Sequence, residues 1–122
     1  MVLICAIYSF AFGIFHMFFW KFFKWKRDLR NLTKVNEGIM QILNIQIIFY
    51  FFFVSFVCFY FNQDLVKSEL GLIFLAGNSI FWIIRFINQF LFLRFNDYRI
   101  HILSVVFFLG AVIFAIPVIQ NL

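Results

Sequence analysis

Two histidines and one arginine lie inside long apolar stretches of this 122-residue chain, where polar side chains are rare. His16 and His101 could be axial ligands of a haem, because imidazole nitrogens on facing helices bind the iron of that cofactor. Arg85, in the stretch NSIFWIIRFINQFLFLR, could bind an anion or pair with a carboxylate. The alternative interpretation is that all three are interior polar residues that hydrogen-bond within one cluster.

The segments that position these residues are long and apolar. Hydrophobic residues make up 66% of the chain and charged residues 12%, which is outside the composition of a soluble domain. The apolar segments cover residues 2–20, 39–61, 72–93 and 100–120, each close to the ~20 residues with which a helix crosses ~30 Å of hydrocarbon. They are continuous rather than alternating, which favours helices over barrel strands. The sequence therefore predicts an all-α integral membrane protein, a four-helix bundle that forms a single transmembrane domain over residues 1–122.

Lysine and arginine are concentrated between the first two segments, in a basic loop over residues 21–38 that holds six of the ten. By the positive-inside rule this loop and the connection at residues 94–99 face the cytoplasm, so both termini and residues 62–71 lie outside. The charges follow the first segment instead of preceding it, which indicates a retained helix rather than a signal peptide. We expect the loop to contact lipid head groups and not nucleic acid. The predicted contact residues are Lys21, Lys24, Lys26, Arg27 and Arg30.

Each predicted helix carries one stripe of polar or small residues at a spacing of three and four, which places them on one face. A polar group in hydrocarbon costs free energy unless it meets a partner, so these faces should line the interior. Counted at ~1.5 Å per residue from the helix ends, the polar residues converge in the cytoplasmic leaflet. The predicted intramembrane polar cluster consists of His16, Glu37, Gln41, Asn44, Arg85, Gln89 and His101.

Glu37 is the acid that we expect to pair with Arg85. An unpaired arginine near mid-membrane costs ~2.5–3.5 kcal/mol on insertion scales. Glu37 begins a helix on the cytoplasmic side and continues into a polar stripe, whereas the other acids lie in loops or on the opposite side of the membrane. The amides of Gln41, Asn44 or Gln89 would supply hydrogen bonds.

The sequence contains no glycine-rich phosphate loop, no H-E-x-x-H motif and no pair of membrane carboxylates, so we expect neither an enzyme nor a metal site. The preferred interpretation is an accessory subunit or assembly factor of a larger membrane complex, with other membrane subunits or further copies of the chain as partners besides lipid.

Gln46 and Asn88 fall off the polar stripes and would mark a second interface. Cys5 and Cys58 are expected to be packing residues rather than a disulfide.

Two other functions stay open. The polar cluster could bind a lipid, a quinone or, through His16 and His101, a haem, although no cofactor is predicted outright. The chain could also be a small oligomeric transporter or channel in which Arg85 lines an anion path, although the bias of lysine and arginine favours a single orientation.

Three segments, FHMFFWKFFKWKRDLRNL, ILNIQIIFYFFFVSFVCF and FLAGNSIFWIIRFINQFLFLR, resemble a group of small four-helix membrane proteins from Bacteroidota. The resemblance covers nearly the whole chain. It implies a multi-pass protein of a bacterial inner membrane. It implies no activity, and no functional residue is carried over from it.

Overall fold

The computed structural model describes residues 1–93 and 97–122, and the regular elements of these residues are helices. The all-α prediction is therefore confirmed for the described part of the chain. The elements are α1 (Val2–Met17), α2 (Phe19–Phe22), α3 (Trp25–Asp28), a 3₁₀ turn (Leu29–Asn31), α4 (Lys34–Tyr60), α5 (Asn62–Lys67), α6 (Glu69–Phe92) and α7 (Tyr98–Gln120). The connection predicted at residues 94–99 lies partly outside the described residues.

Three helices, α4, α6 and α7, are long and apolar enough to cross a membrane. Helix α1 is apolar but has 16 residues, which at ~1.5 Å per residue is about 24 Å, less than the ~30 Å of a hydrocarbon core. The helix predicted over residues 2–20 ends early, because the backbone turns at Phe18. That turn folds the aromatic run onto itself, and the ring of Phe15 lies 5.9 Å from the ring of Phe22 and 6.4 Å from that of Phe23.

The predicted basic loop is largely built from short helical elements. Helices α2 and α3 are separated by Lys24, whose φ of 53° is left-handed. Leu29 is buried, whereas the predicted lipid-contact residues are exposed. Those exposed residues are Lys21, Lys24, Lys26, Arg27 and Arg30. Residues 21–31 thus bury the apolar side chain of Leu29 and expose their basic side chains.

Helix α4 begins at Lys34, earlier than the hydropathy of the sequence predicts. Thr33 precedes it, and its hydroxyl accepts a hydrogen bond of 3.3 Å from the amide of Asn36, which satisfies one of the free N–H groups of the first turn. The polar first turn is helical because of this cap. The long apolar part of α4 follows it.

The described residues form two compact units, which we call the amino-terminal unit (residues 6–57) and the carboxy-terminal unit (residues 1–5 and 58–122). In the amino-terminal unit, α1 packs against α4. The Ser55 hydroxyl donates to the Ala6 carbonyl at 2.7 Å, and the Asn44 amide donates to the His16 carbonyl at 2.9 Å. Since later residues of α4 meet earlier residues of α1, the two helices are antiparallel.

In the carboxy-terminal unit, α6 and α7 form a second antiparallel pair. The Ser79 hydroxyl donates to the Ala111 carbonyl at 2.8 Å, and the ring of Trp82 stacks on Phe107 with 5.8 Å between centroids. The buried residues repeat at intervals of three and four on both helices, as expected for a seam between helices. They are Gly71, Leu75, Asn78, Ser79, Trp82 and Gln89 on α6, and Ser104, Phe107, Gly110, Ala111, Phe114 and Pro117 on α7.

The two cysteines are buried, unpaired thiols, in agreement with the packing role predicted for them. The sulfur of Cys5 donates to the carbonyl of Ile113 at 3.4 Å, so the beginning of α1 contacts α7 within the carboxy-terminal unit.

Gly71 gives a direct test of the close approach between α5 and α6. A Cβ at this position would lie 2.6 Å from the carbonyl carbon of Leu65 and would also overlap its oxygen and Cα. Backbone atoms cannot rotate away, so Gly71→Ala should lower the free energy of unfolding by about 1–3 kcal/mol. Gly77 on the same helix is the matched control, because its added Cβ meets nothing within 4 Å. Unfolding of both variants by SDS titration in mixed micelles, followed by circular dichroism, measures the difference, and equal midpoints would contradict the predicted overlap.

Candidate functional site

The predicted polar cluster falls into two groups, one in each unit. The α1–α4 group contains His16, Glu37, Gln41 and Asn44, and the α6–α7 group contains Arg85, Gln89 and His101. Each group is held by hydrogen bonds between its own helices.

Asn44 joins α4 to the end of α1. Its side chain is buried, and its amide nitrogen donates to the carbonyl of His16, which is among the last carbonyls of α1. The half-buried ring of His16 donates from Nδ1 to the Phe12 carbonyl at 2.8 Å and stacks on Phe19 with 4.2 Å between centroids. Because a carbonyl can only accept, Nδ1 carries the proton, and in the neutral ring Nε2 keeps the lone pair.

Gln41 joins α4 to the basic segment. Its side-chain oxygen accepts a hydrogen bond of 3.1 Å from the indole nitrogen of Trp20, and its nitrogen donates to the Glu37 carbonyl at 3.3 Å. This contact gives no local signal in the sequence, because the two residues are 21 positions apart. Both ends of the Gln41 amide are therefore used in structural hydrogen bonds.

Arg85 and Gln89 form the centre of the α6–α7 group. Arg85 Nη1 donates to Gln89 Oε1 at 3.1 Å, and the guanidinium carbon lies 4.4 Å from the centroid of the Phe107 ring. Such a cation–π contact contributes about 0.5–2 kcal/mol. Gln89 is one of the three amides that the sequence proposes as partners of Arg85, and the structure shows this hydrogen bond.

Gln89 also connects the two helices. It is 1% exposed, and its side-chain nitrogen donates at 3.2 Å to the carbonyl of Ile100, which accepts a second hydrogen bond from the hydroxyl of Ser104. Side chains on a helix normally lean toward its amino terminus. The hydrogen bond fits this direction, because Gln89 meets the guanidinium of Arg85 one turn before it, and the same guanidinium lies over Phe107.

The acids of the carboxy-terminal unit lie away from Arg85. Asp64 and Glu69 are at or before the beginning of α6, at the opposite end from Arg85. Asp97 Oδ2 lies 3.8 Å from Arg99 Nη2, and Asp97 Oδ1 accepts the amide hydrogen of Arg99 at the start of α7. Glu37 belongs to the α1–α4 group, and its pairing with Arg85 stays a prediction.

The haem hypothesis also stays a prediction. His16 is half-buried in the amino-terminal unit, and His101 is exposed in the first turn of α7. Among residues 1–93 and 97–122, no group of three or more histidine, cysteine, aspartate and glutamate side chains could hold a metal ion.

Ser79 is an interior polar residue that the predicted stripes omit, although it is buried and donates to Ala111. The available signal in the sequence is its position three residues before Trp82, a large apolar residue of the same helix. In the described part of the chain, every buried side-chain nitrogen and oxygen has a hydrogen-bond partner.

Comparisons of the chain with protein families, curated proteins and solved structures give no match. The function is therefore inferred from the chemistry and geometry of the residues themselves.

Gln89→Leu tests the hydrogen-bonded bridge between α6 and α7. The change removes the acceptor of Arg85 and one donor to Ile100 in a low-dielectric interior, so we expect a loss of about 1–3 kcal/mol in the free energy of unfolding. Asn88→Leu is the control, because Asn88 is the adjacent amide on the same helix and is half-buried rather than buried. Unfolding in mixed micelles compares the two variants. A loss for Asn88→Leu that equals the loss for Gln89→Leu would show that Gln89 is not the bridge.

Proposed function

We propose that this chain is a non-catalytic four-helix protein of a bacterial inner membrane, and that it acts as an accessory subunit or assembly factor of a larger membrane complex. One observation supports the proposal above all. The buried polar side chains are used in helix-to-helix contacts with main-chain carbonyls, as in Asn44 to His16, Ser55 to Ala6 and Ser79 to Ala111. Such side chains stabilise a framework, and they are not arranged as a nucleophile with a base.

Helix α1 is the fourth helix of the proposed bundle. Its antiparallel packing on α4 supports this role, and a short span is accommodated by local thinning of the bilayer at a modest cost. The exposed basic surface on α2, α3 and the 3₁₀ turn supports a cytoplasmic position for residues 21–38. Both termini then lie on the extracytoplasmic side.

The accessory role predicts that the chain migrates within a larger assembly. Membranes from cells that express the tagged full-length chain, solubilised in digitonin and separated by native electrophoresis, should show it well above the 14.7 kDa protomer and its small multiples. Cross-linking and mass spectrometry then identify the partner. Migration as the chain alone would overturn the proposal. The absorption spectrum of the same preparation tests the haem alternative, for which a Soret band is required.

Arg85 favours a second candidate function, the binding of an anionic lipid through its phosphate. The half-buried guanidinium donates to a neutral amide and lies over an aromatic ring. Neither described contact neutralises its charge. A guanidinium has five N–H donors, which leaves several for a phosphate oxygen.

Native mass spectrometry of protein purified with added phosphatidylglycerol or phosphatidylcholine tests this candidate. We expect the wild-type chain to retain the anionic lipid, and Arg85→Gln to retain it several-fold less. Arg99→Gln is the control, because Arg99 is exposed and already lies near Asp97. If a double-mutant cycle shows coupling between Arg85→Ala and Glu37→Ala instead, and lipid retention is unchanged by Arg85→Gln, then Glu37 neutralises the arginine and lipid binding is the wrong explanation.

A further inference from the structure

Gln46 is a polar residue on the outer surface of a membrane-spanning helix. It lies close to the middle of the 27-residue helix α4, about 20 Å from either end at ~1.5 Å per residue. Its side chain is exposed, and among residues 1–93 and 97–122 no hydrogen bond to its amide is found. At this depth the surrounding solvent of a spanning helix is hydrocarbon.

A glutamine amide has two N–H donors and an acceptor oxygen with two lone pairs. Leaving these groups in hydrocarbon without hydrogen-bond partners is energetically unfavourable. The interior side chains of Asn44 and Gln89 avoid this cost because their amides donate to main-chain carbonyls. Gln46 therefore differs from them in needing a partner beyond this chain.

The surface around Gln46 is a continuous apolar face. Most residues one and two turns away on the same side of α4 are apolar and exposed, and Tyr50 among them is half-buried, whereas the opposite side of the helix holds the buried Asn44, Phe51 and Ser55. Helix α4 consequently has one buried face and one face whose described side chains are mostly exposed. We call the second the Gln46 face, and it consists of Ile39, Ile42, Leu43, Gln46, Phe49 and Phe53.

We propose that the Gln46 face is the surface through which two copies of this chain associate, with the Gln46 amides hydrogen-bonded to each other. Two copies inserted in the same orientation and related by a two-fold axis along the membrane normal bring equal positions to equal depth. The Gln46 side chain of one copy then faces the Gln46 side chain of the other. The amide is complementary to itself, because the nitrogen of each copy donates to the oxygen of the other.

The composition of the face favours a second copy over a different partner. It carries no charge, so nothing in it selects an acidic or basic helix, and the flanking isoleucine, leucine and phenylalanine side chains pack equally well on their own kind. The inference rests on the proposed function and on its membrane orientation. It adds that a second copy of this chain is one of the proteins with which the chain associates.

Energy transfer between donor- and acceptor-labelled copies of the full chain in phosphatidylcholine vesicles measures the association. The wild-type signal should saturate as the ratio of protein to lipid rises. Gln46→Leu should weaken association about 5- to 30-fold, the effect of one interhelical amide contact in a membrane. Gln46→Asn should recover part of it. Ile45→Leu is the matched control, because Ile45 is exposed at the same depth but points to a different side of α4. Circular dichroism confirms that every variant remains helical.

Oxidative cross-linking in native membranes locates the interface with Gln46 intact. Phe53→Cys should form a disulfide-linked dimer more readily than Ile45→Cys, since the native thiols are buried. Equal association of the wild type and Gln46→Leu, or equal cross-linking at the two positions, would overturn the proposal. So would a Gln46-dependent complex with a different protein in the absence of self-association, which would leave the accessory role standing. Self-association without any larger assembly would support the Gln46 face and overturn the accessory role.

Discussion

A polar side chain inside hydrocarbon must find its hydrogen-bond partner in the protein, and this chain meets that constraint mainly with main-chain carbonyls. In each helix pair a serine or an amide of one helix donates to a carbonyl of the other. A contact of this kind contributes about 0.6–2 kcal/mol in a membrane. A serine hydroxyl is short, so it reaches the neighbouring backbone only where that helix presents a small residue. Ala6 and Ala111 stand at those acceptor positions. The small residues that let the helices pack closely are therefore the same ones that let the serine hydroxyls reach a hydrogen-bond acceptor.

The same constraint explains the surroundings of Arg85. A guanidinium cannot lose its charge readily, and α6 places it beside an amide oxygen and over the face of Phe107. Gln89 accepts from the arginine and donates to Ile100, so the amide dipole is oriented by the first turn of α7. The position of a charged side chain within α6 is therefore coupled to the joint between α6 and α7. Ligand binding at Arg85 would act on that joint directly.

Much of this arrangement follows from the periodicity of the sequence, and the exceptions have physical causes. A three-and-four spacing identifies Asn44 and Gln89 as interior residues, and both are buried. Helix ends are less predictable from hydropathy. Thr33 precedes α4 and caps a polar first turn that hydropathy alone predicts to be loop, and no Gly or Pro near Phe18 marks the end of α1 in the sequence. The hydrogen bond from Trp20 to Gln41 is non-local. The sequence predicts an acid, Glu37, as the partner of Arg85. The hydrogen bond in the described residues goes instead to the neutral amide of Gln89, one turn away.

Because the acceptors are main-chain carbonyls, the two sides of each helix joint are under different constraints. The donor must keep an N–H or O–H group that reaches the carbonyl, as serine, asparagine and glutamine do here. The accepting residue supplies a group that every amino acid has, so its identity is free to change as long as it stays small enough for the approach. Divergent descendants of this chain could therefore exchange most of their phenylalanine, isoleucine and leucine for one another while keeping a few donors at fixed intervals. Kinship among such proteins would be recorded in the spacing of those donors and not in overall sequence identity.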